Sequence, residues 1–320
     1  MDLERFCASS RVVIVAGKGG VGKTTVTAAL ATAAARTGMS VLIVEVEGKS
    51  GLAACFDRPS LTYEETELRP GLRARTLTPD DALLEYLDDH GMRRISRRLS
   101  RSGALDVVAT AVPGMRDILV LGKVKQLERA GVADLIVLDA PAAGHAVNFL
   151  VSARGLVDAV KVGPINKQAT DVLELLHDAA RCQVVLVTLP EETPVNELVD
   201  TAYAIEDRAG VALGPIVVNG CVTARSAEAG HTREAIEADA AVAGHTISPA
   251  EVDALARATA FRTDLRERQV AQCERLARKL PLPQVRLPFL FTADVGPAEI
   301  DILADALAAG IGALDPVGAR

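Results

Sequence analysis

Tryptophan is missing from this chain of 320 residues, and aromatic residues make up only 3% of it. With 49% apolar and 24% charged residues, that is the composition of a soluble globular protein, not of a disordered one. The length suits one large or two ordinary domains with a substantial core. No C-x-x-C pair occurs among the five cysteines (Cys7, Cys55, Cys182, Cys221, Cys273), whose odd number and wide spacing speak for free thiols in a reducing cytosol. No run approaches the ~18 uninterrupted apolar residues of a membrane span. The amino-terminal MDLERFCASS is acidic and polar, the wrong shape for a signal peptide, so the chain is expected in the cytoplasm. A basic excess is also missing: the net charge of -7 argues against a general polyanion binder. Lysine is scarce, outnumbered roughly threefold by arginine, so two lysines within one short loop stand out.

Short apolar runs are present instead, at Val12–Ala16, Val41–Val46, Leu135–Leu138, Val184–Val187 and Ile216–Val218. Each ends in a polar or Gly/Pro segment, and helix-like sequence follows. Such runs read as strands buried on both faces, and their alternation with helices predicts an α/β, doubly wound, mainly parallel sheet. Ligands in that architecture sit at the carboxyl ends of the strands. Two stretches lack strand runs and read as helical layers on the sheet, roughly residues 77–131 and 224–280. Asp80 and Asp81 are N-cap candidates in the first, and Pro113-Gly114 is a break. Ser248-Pro249-Ala250-Glu251 reads as a helix start in the second. No internal repeat is visible, and residues 1–320 are expected to form a single domain.

The segment AGKGGVGKTT (Ala16–Thr25) satisfies two fingerprints. As G-x-G-x-x-G (Gly17, Gly19, Gly22) it is a dinucleotide-binding turn, and Glu45 falls about where a ribose-binding acid belongs. As G-x-x-x-x-G-K-[ST] (Gly17, Gly22, Lys23, Thr24) it is a Walker A phosphate loop. A triphosphate site needs Lys23 for the β- and γ-phosphates and the Thr24 hydroxyl for Mg²⁺, and a dinucleotide site needs neither. Asp139 closes LIVLD as a Walker B carboxylate should. Lys18 stands where a plain Walker A tolerates any residue. Taken together, Lys23, Thr24 and Asp139 decide for a nucleoside triphosphate.

GKGGVGKTT, with its extra Lys18, resembles the deviant Walker A of the nitrogenase-iron-protein, MinD and ArsA group of ATPases. Within that group the chain is most similar to the ArsA type, which includes arsenite-pump and guided-entry ATPases. VLIVEVEGKSGLAACF resembles that family's second strand and switch I. LIVLDAPAAGHAVNFL resembles its switch II, with Gly144, His145, Phe149 and Leu150. VPGMRDILVLGKVKQL resembles the Pro-Gly helix before it, and PIVVNG and VRLPFL resemble the adenine-contacting segments. The resemblance implies a P-loop NTPase fold with helical insertions and a dimer that binds and hydrolyses Mg²⁺-ATP to ADP and phosphate. It implies a phosphate cradle of Gly17, Gly19, Gly20, Val21, Gly22, Lys23, Thr24 and Thr25, with Thr24 and Asp139 at the metal. Glu47 aligns with the family's water-positioning Asp, a departure by one methylene; an acid supporting a nearby helix start is the alternative. Ser50 stands where the eukaryotic pattern has His. Asn219 aligns as the adenine-amide residue, with Pro288 and Phe289 closing over the base; a turn residue after a strand is the alternative for Asn219. Lys18 is expected to act on the partner subunit's phosphates.

Zinc, arsenite and iron–sulfur roles are disfavoured, since no cysteines stand at the spacings those sites require. A groove for transmembrane cargo would need Met-rich or broadly apolar helices. The run MRRISRRLSR instead places Arg93, Arg94, Arg97, Arg98 and Arg101 at helical spacing, which reads first as a solvated face and otherwise as a contact for an anionic surface or partner. The expected partner is a second copy or a paralogous ATPase, with an unidentified protein cargo, no nucleic acid and no stable membrane insertion. Two other readings stay open: a weakly hydrolysing, nucleotide-loaded scaffold in a heterodimer with a paralogue, and a positioning ATPase of the MinD or ParA kind.

Overall fold

The computed structural model of the chain describes residues 2–46, 51–89, 91–102, 114–141, 143–223 and 232–314. Its centre is an eight-stranded sheet in the order β3-β4-β2-β5-β1-β6-β7-β8, in which only β3 runs antiparallel to its neighbour. The strands are β1 (Val12–Gly17), β2 (Val41–Val46), β3 (Thr66–Arg69), β4 (Leu72–Leu77), β5 (Leu135–Asp139), β6 (Cys182–Thr188), β7 (Ala212–Cys221) and β8 (Gln284–Pro288).

The central strands are apolar without alternation because both faces are covered. In β1, Val12, Ile14 and Ala16 enter one hydrophobic cluster, and Val13 and Val15 enter the other. The face of Val13 and Val15 is covered by α1 (Leu3–Cys7), α2 (Lys23–Arg36) and α12 (Pro297–Gly312). The alanines of α2, from Ala28 to Ala34, are buried between the sheet and α12. The opposite face carries α6 (Met115–Ala130), α7 (Ala143–Ala159), α8 (Pro164–His177) and α9 (Glu192–Ala204). The short α3 (Gly51–Ala54) follows β2, α4 (Pro79–Asp89) and α5 (Arg93–Ser102) follow β4, and α10 (Arg233–Val242) and α11 (Pro249–Lys279) lie between β7 and β8.

Three strands escaped the search for apolar runs. β4 reads LRARTL, and its two arginines find partners in place, although the buried Arg75 Nε donates to none. Arg75 lies 4.3 Å over the Tyr63 ring, and Arg73 reaches the Val132 carbonyl at 2.5 Å. β3 and β8 are the edges of the sheet, where one side has no neighbouring strand and polar residues are tolerated. The first helical layer is corrected accordingly: Leu77 ends a strand, and the helices begin at Pro79. The N-cap assignment is corrected as well. Thr78 Oγ1 accepts the Asp81 N–H at 3.1 Å, and Asp80 and Asp81 occupy the first turn, where their charge favours the helix dipole. Gly114 caps α6 with φ +79°. Ser248 forms a full capping box with Glu251 ahead of α11. In α5, Arg93, Arg94, Arg97 and Arg98 are exposed. Among the described residues no helix is long and apolar enough to cross a membrane.

Candidate functional site

β1 is flanked by β5 on one side and β6 on the other, so the loop after β1 opens at the point where the chain turns from one half of the sheet to the other. Gly17 ends β1 against Val187 of β6, and a Cβ there would stand 2.3 Å from the Val187 carbonyl oxygen. Only glycine permits that approach. Lys18, Gly19, Gly20 and Val21 form the loop, with Gly19 and Gly20 exposed and Val21 buried. Gly22, at φ +89°, is the N-cap of α2 and contributes no side-chain cap. Lys23, Thr24 and Thr25 make the first helical turn, whose backbone N–H groups and dipole favour an anion at the loop.

Two polar pairs meet beneath the loop. Thr24 Oγ1 donates to Asp139 Oδ2 at 2.6 Å, and Asp139 is buried at the end of β5. Thr27 Oγ1 lies 3.5 Å from the other Asp139 oxygen. Glu45 stands in register with Asp139 on the neighbouring strand, where it accepts the Thr76 hydroxyl at 3.1 Å. That buried, structural setting does not suit a ribose ligand, so the dinucleotide alternative fails on geometry as well. Cys55 lies near both carboxylates; burial, and then the charge of Asp139, pushes its thiol up to about 11. The hydroxyl and carboxylate oxygens of Thr24 and Asp139 are the hard donors that Mg²⁺ takes, and it binds through few protein ligands, keeping waters and phosphate oxygens for the rest. Among the described residues no three His, Cys, Asp or Glu side chains converge, which a structural metal cage would require.

The lysines are held by groups of the chain itself. Lys23 Nζ donates to the Lys18 carbonyl at 3.2 Å. Lys18 Nζ lies 2.5 Å from Glu197 Oε1 on α9, with both side chains about two-fifths exposed (43% and 41%). Nothing in the sequence near Lys18 announces Glu197, which follows it by 179 positions.

On the far side of the loop, Asn219 near the end of β7 donates from Nδ2 to the Val21 carbonyl at 3.0 Å. A Cβ on Gly22 would stand 2.3 Å from that nitrogen, so loop and strand are in direct contact. Pro288 pairs with Cys221 at the end of β8. The Phe289 N–H donates to the Cys221 carbonyl at 2.8 Å, which places its half-exposed ring beside Gly220 and against Phe291. The structure thus brings Pro288 and Phe289 beside the end of β7, where Asn219 contacts the loop. Glu47 and Ser50 lie outside the described residues, as does the side chain of His145, and Gly144 stands in the first turn of α7. Phe149 and Leu150 are buried in the core.

The cysteines are less scattered in space than in sequence. All five thiols are free, as expected, but Cys221 of β7 and Cys273 of α11 interact through their side chains and line one cavity. A separate cavity of about 620 Å³ opens between α4, α6 and α8, where Lys123 pairs with Glu85, Lys125 pairs with Asp171 at 2.9 Å, and Arg129 and Lys167 add positive charge to the lining.

Residues 10–162 match the model of a family described as anion-transporting ATPases. The chain is 39% identical over 223 residues to the ATPase BagA of Mycobacterium tuberculosis (strain ATCC 25618 / H37Rv), covering 65% of this chain and 64% of that protein. It is 26% identical over 229 residues to a putative arsenical pump-driving ATPase of Halobacterium salinarum, covering 66% of this chain and 35% of that one. It is 28% identical over 145 residues to the ATPase get3 of Schizosaccharomyces japonicus, covering 44% of each. The chain thus spans a little under two thirds of the length of the mycobacterial relative it matches.

Proposed function

We propose, from the match of residues 10–162 to the anion-transporting ATPase family and the likeness to arsenical pump-driving and get3 ATPases, that the chain is an ATPase of the ArsA type that binds Mg²⁺-ATP at the loop after β1 and hydrolyses it as a two-subunit switch. The observation that carries this reading is the Thr24 hydroxyl on Asp139 at 2.6 Å, directly under a glycine-capped helix start. In the proposed complex the first turn of α2 binds the phosphates, and Lys23 leaves the Lys18 carbonyl for the β- and γ-phosphate oxygens. Thr24 and Asp139 would hold the cation, which neutralises phosphate charge when bound. Asn219, Pro288 and Phe289 border the base, and Asn219 holds the loop by its hydrogen bond to Val21. Glu47 would orient the attacking water.

In this reading Lys18, the extra lysine of the loop, acts on the phosphates of another subunit, a second copy or a paralogue. There it neutralises charge developing on the transferred phosphoryl group. Loss of the γ-phosphate then releases what the phosphate ordered. The chain acts in the cytoplasm as one ATPase domain on a protein cargo. A second reading, a nucleotide-loaded scaffold with little turnover, is favoured by the longer Glu47 where the resembling family has Asp.

Single-turnover hydrolysis of ATP separates the two. The ATPase reading expects phosphate release well above a Lys23→Ala control, whose ATP affinity falls on the order of 100-fold or more as charge-assisted bonds to phosphate are lost. Release equal to the control, with tight ATP binding retained by the parent chain, supports the scaffold. Equal ATP affinity of parent and Lys23→Ala, by calorimetry, removes the site assignment. Glu47→Gln is isosteric and removes charge only, so binding stays and turnover drops; full activity in that variant would make Glu47 structural.

A further inference from the structure

The five thiols divide into two kinds. Cys7, Cys55 and Cys182 are buried singly, and burial holds each thiol protonated, at about 12, 11 and 12. Cys221 and Cys273 meet at a seam where three elements are locked together. Gln269 of α11 clamps both neighbours of Cys221: its Oε1 accepts the Val222 N–H at 2.7 Å, and its Nε2 donates to the Gly220 carbonyl at 3.2 Å. One helical turn further on, the same face of α11 presents Cys273. The Cys273 carbonyl in turn accepts from Gln284 of β8 at 3.1 Å. The clamp therefore sets the register that brings the two sulfurs together. A cavity of about 420 Å³ opens beside them, lined by both cysteines with Arg266, Gln269 and Arg286.

From this juxtaposition we propose that Cys221 and Cys273 are a reversible redox pair, a dithiol that closes to a disulfide when a hydroperoxide enters the cavity beside them. Their ionisation fits the two roles. The Cys221 hydrogen bond and then the Arg286 charge hold the Cys273 thiol below its ordinary range, so Cys273 is the nucleophile. Cys221 is held well above the range by the same hydrogen bond and by burial, so it keeps its proton. The Cys273 thiolate attacks one peroxide oxygen, the O–O bond breaks, and hydroxide leaves to take a proton from solvent as water. Cys273 is then a sulfenic acid, and the negative charge that held the Cys221 proton is gone. The Cys221 sulfur attacks the Cys273 sulfur, the S–O bond breaks, and the departing hydroxide leaves with the Cys221 proton as a second water. Two thiols lose two electrons and the peroxide gains them. The product ties α11 to the end of β7, two residues from Asn219 and its hydrogen bond to the phosphate loop.

The test treats the fully reduced chain with one equivalent of hydrogen peroxide and needs no nucleotide. Expected are the loss of two of the five thiols, a crosslinked 221–273 peptide by mass spectrometry, a monomeric band without reductant, and recovery of all five with dithiothreitol. Cys273 should react on the order of 100-fold or more faster than Cys7, Cys55 and Cys182, following its thiolate fraction, and Cys221 should be consumed with it by condensation. Cys221→Ser should lose one thiol and leave a Cys273 sulfenic acid that dimedone labels, a readout that holds even if the disulfide itself strains the fold. Retention of all five thiols, reaction first at Cys7, Cys55 or Cys182, or a disulfide between chains would each overturn the proposal. So would a full-length Cys273 that dimedone labels with no crosslink to Cys221.

Discussion

The two ends of the sheet treat charge in opposite ways. At the amino ends of β1 and β6, Glu128 of α6 is almost wholly buried (3% exposed) and takes both arms of Arg181, at 3.1 and 2.7 Å. Arg11 lies 3.7 Å from the same carboxylate, and the backbone carbonyls of Arg11 and Arg181 accept ladder hydrogen bonds from Ile136 and Val12. The Glu128 hydrogen bond raises the Arg181 guanidinium above its already high range. At the carboxyl ends, a hydroxyl meets Asp139, a loop carbonyl meets Lys23, and an exposed glutamate meets Lys18. The first arrangement is bidentate, buried and between fixed elements, and its consequence is folding. In the second, each polar group has a partner that an incoming phosphate or cation could replace at small cost. The same strands thus carry a structural end and the end where we propose the ligand binds, and the geometry of the charge pairs tells them apart.

The largest effect expected at the ligand end is on turnover. Lys18→Ala should keep ATP binding and lose rate on the order of 10³–10⁵, as for a charge supplied across a subunit boundary. Mixing it with excess Glu47→Gln chain should restore part of the activity in a homodimer, because the Lys18→Ala subunit keeps its own Glu47 and borrows its neighbour's lysine. Turnover independent of protein concentration, with no rescue on mixing, would make Lys18 a group of its own loop. At the structural end the effect should be on stability instead. Arg181→Ala strands a buried carboxylate, a change that costs about 3–5 kcal/mol, with Arg11 close enough to hold the loss toward the lower figure. Urea unfolding reads it out. Nucleotide affinity of the remaining folded protein should be unchanged, and a fall in it would blur the division between the two ends.

Sequence made the centre of this molecule legible and its periphery less so. The runs Val12–Ala16 and Val41–Val46 are strands because their residues face a covered layer on both sides, and that condition leaves an unbroken apolar run. β4 lies one strand in from the edge and keeps two arginines, one stacked on Tyr63 and one on a backbone carbonyl. Its burial is purchased by partners distant in sequence, and no local pattern reveals them. The site divides similarly. The proposed phosphate loop from Gly17 to Thr25 is contiguous, so spacing alone singles it out, and Asp139 is singled out because it ends an apolar strand. Glu197, Gln269 and the meeting of Cys221 with Cys273 depend on where α9 and α11 pack, which spacing does not encode.

The smallest effect belongs to the pair that joins the loop to α9. Glu197 Oε1 sits 2.5 Å from Lys18 Nζ, within one chain. If Lys18 works on a partner's phosphates, this contact must open before it can, and Glu197 holds the lysine at rest. The hold is weak, because both side chains are about two-fifths exposed and water screens them. Exposed pairs are worth about 0.2–1 kcal/mol, which corresponds to at most about a fivefold change. Glu197→Gln keeps the shape and a hydrogen-bond acceptor but removes the charge. It should therefore raise ATP turnover by roughly two- to fivefold at low protein concentration. At saturating protein, where subunit pairing already favours the lysine's other partner, the gain should shrink. Thermal stability should barely move, since no buried group is left without a partner. A concentration series of parent and variant rates measures this directly. A variant slower than the parent at every concentration would show that Glu197 supports the lysine during the reaction, not only between reactions.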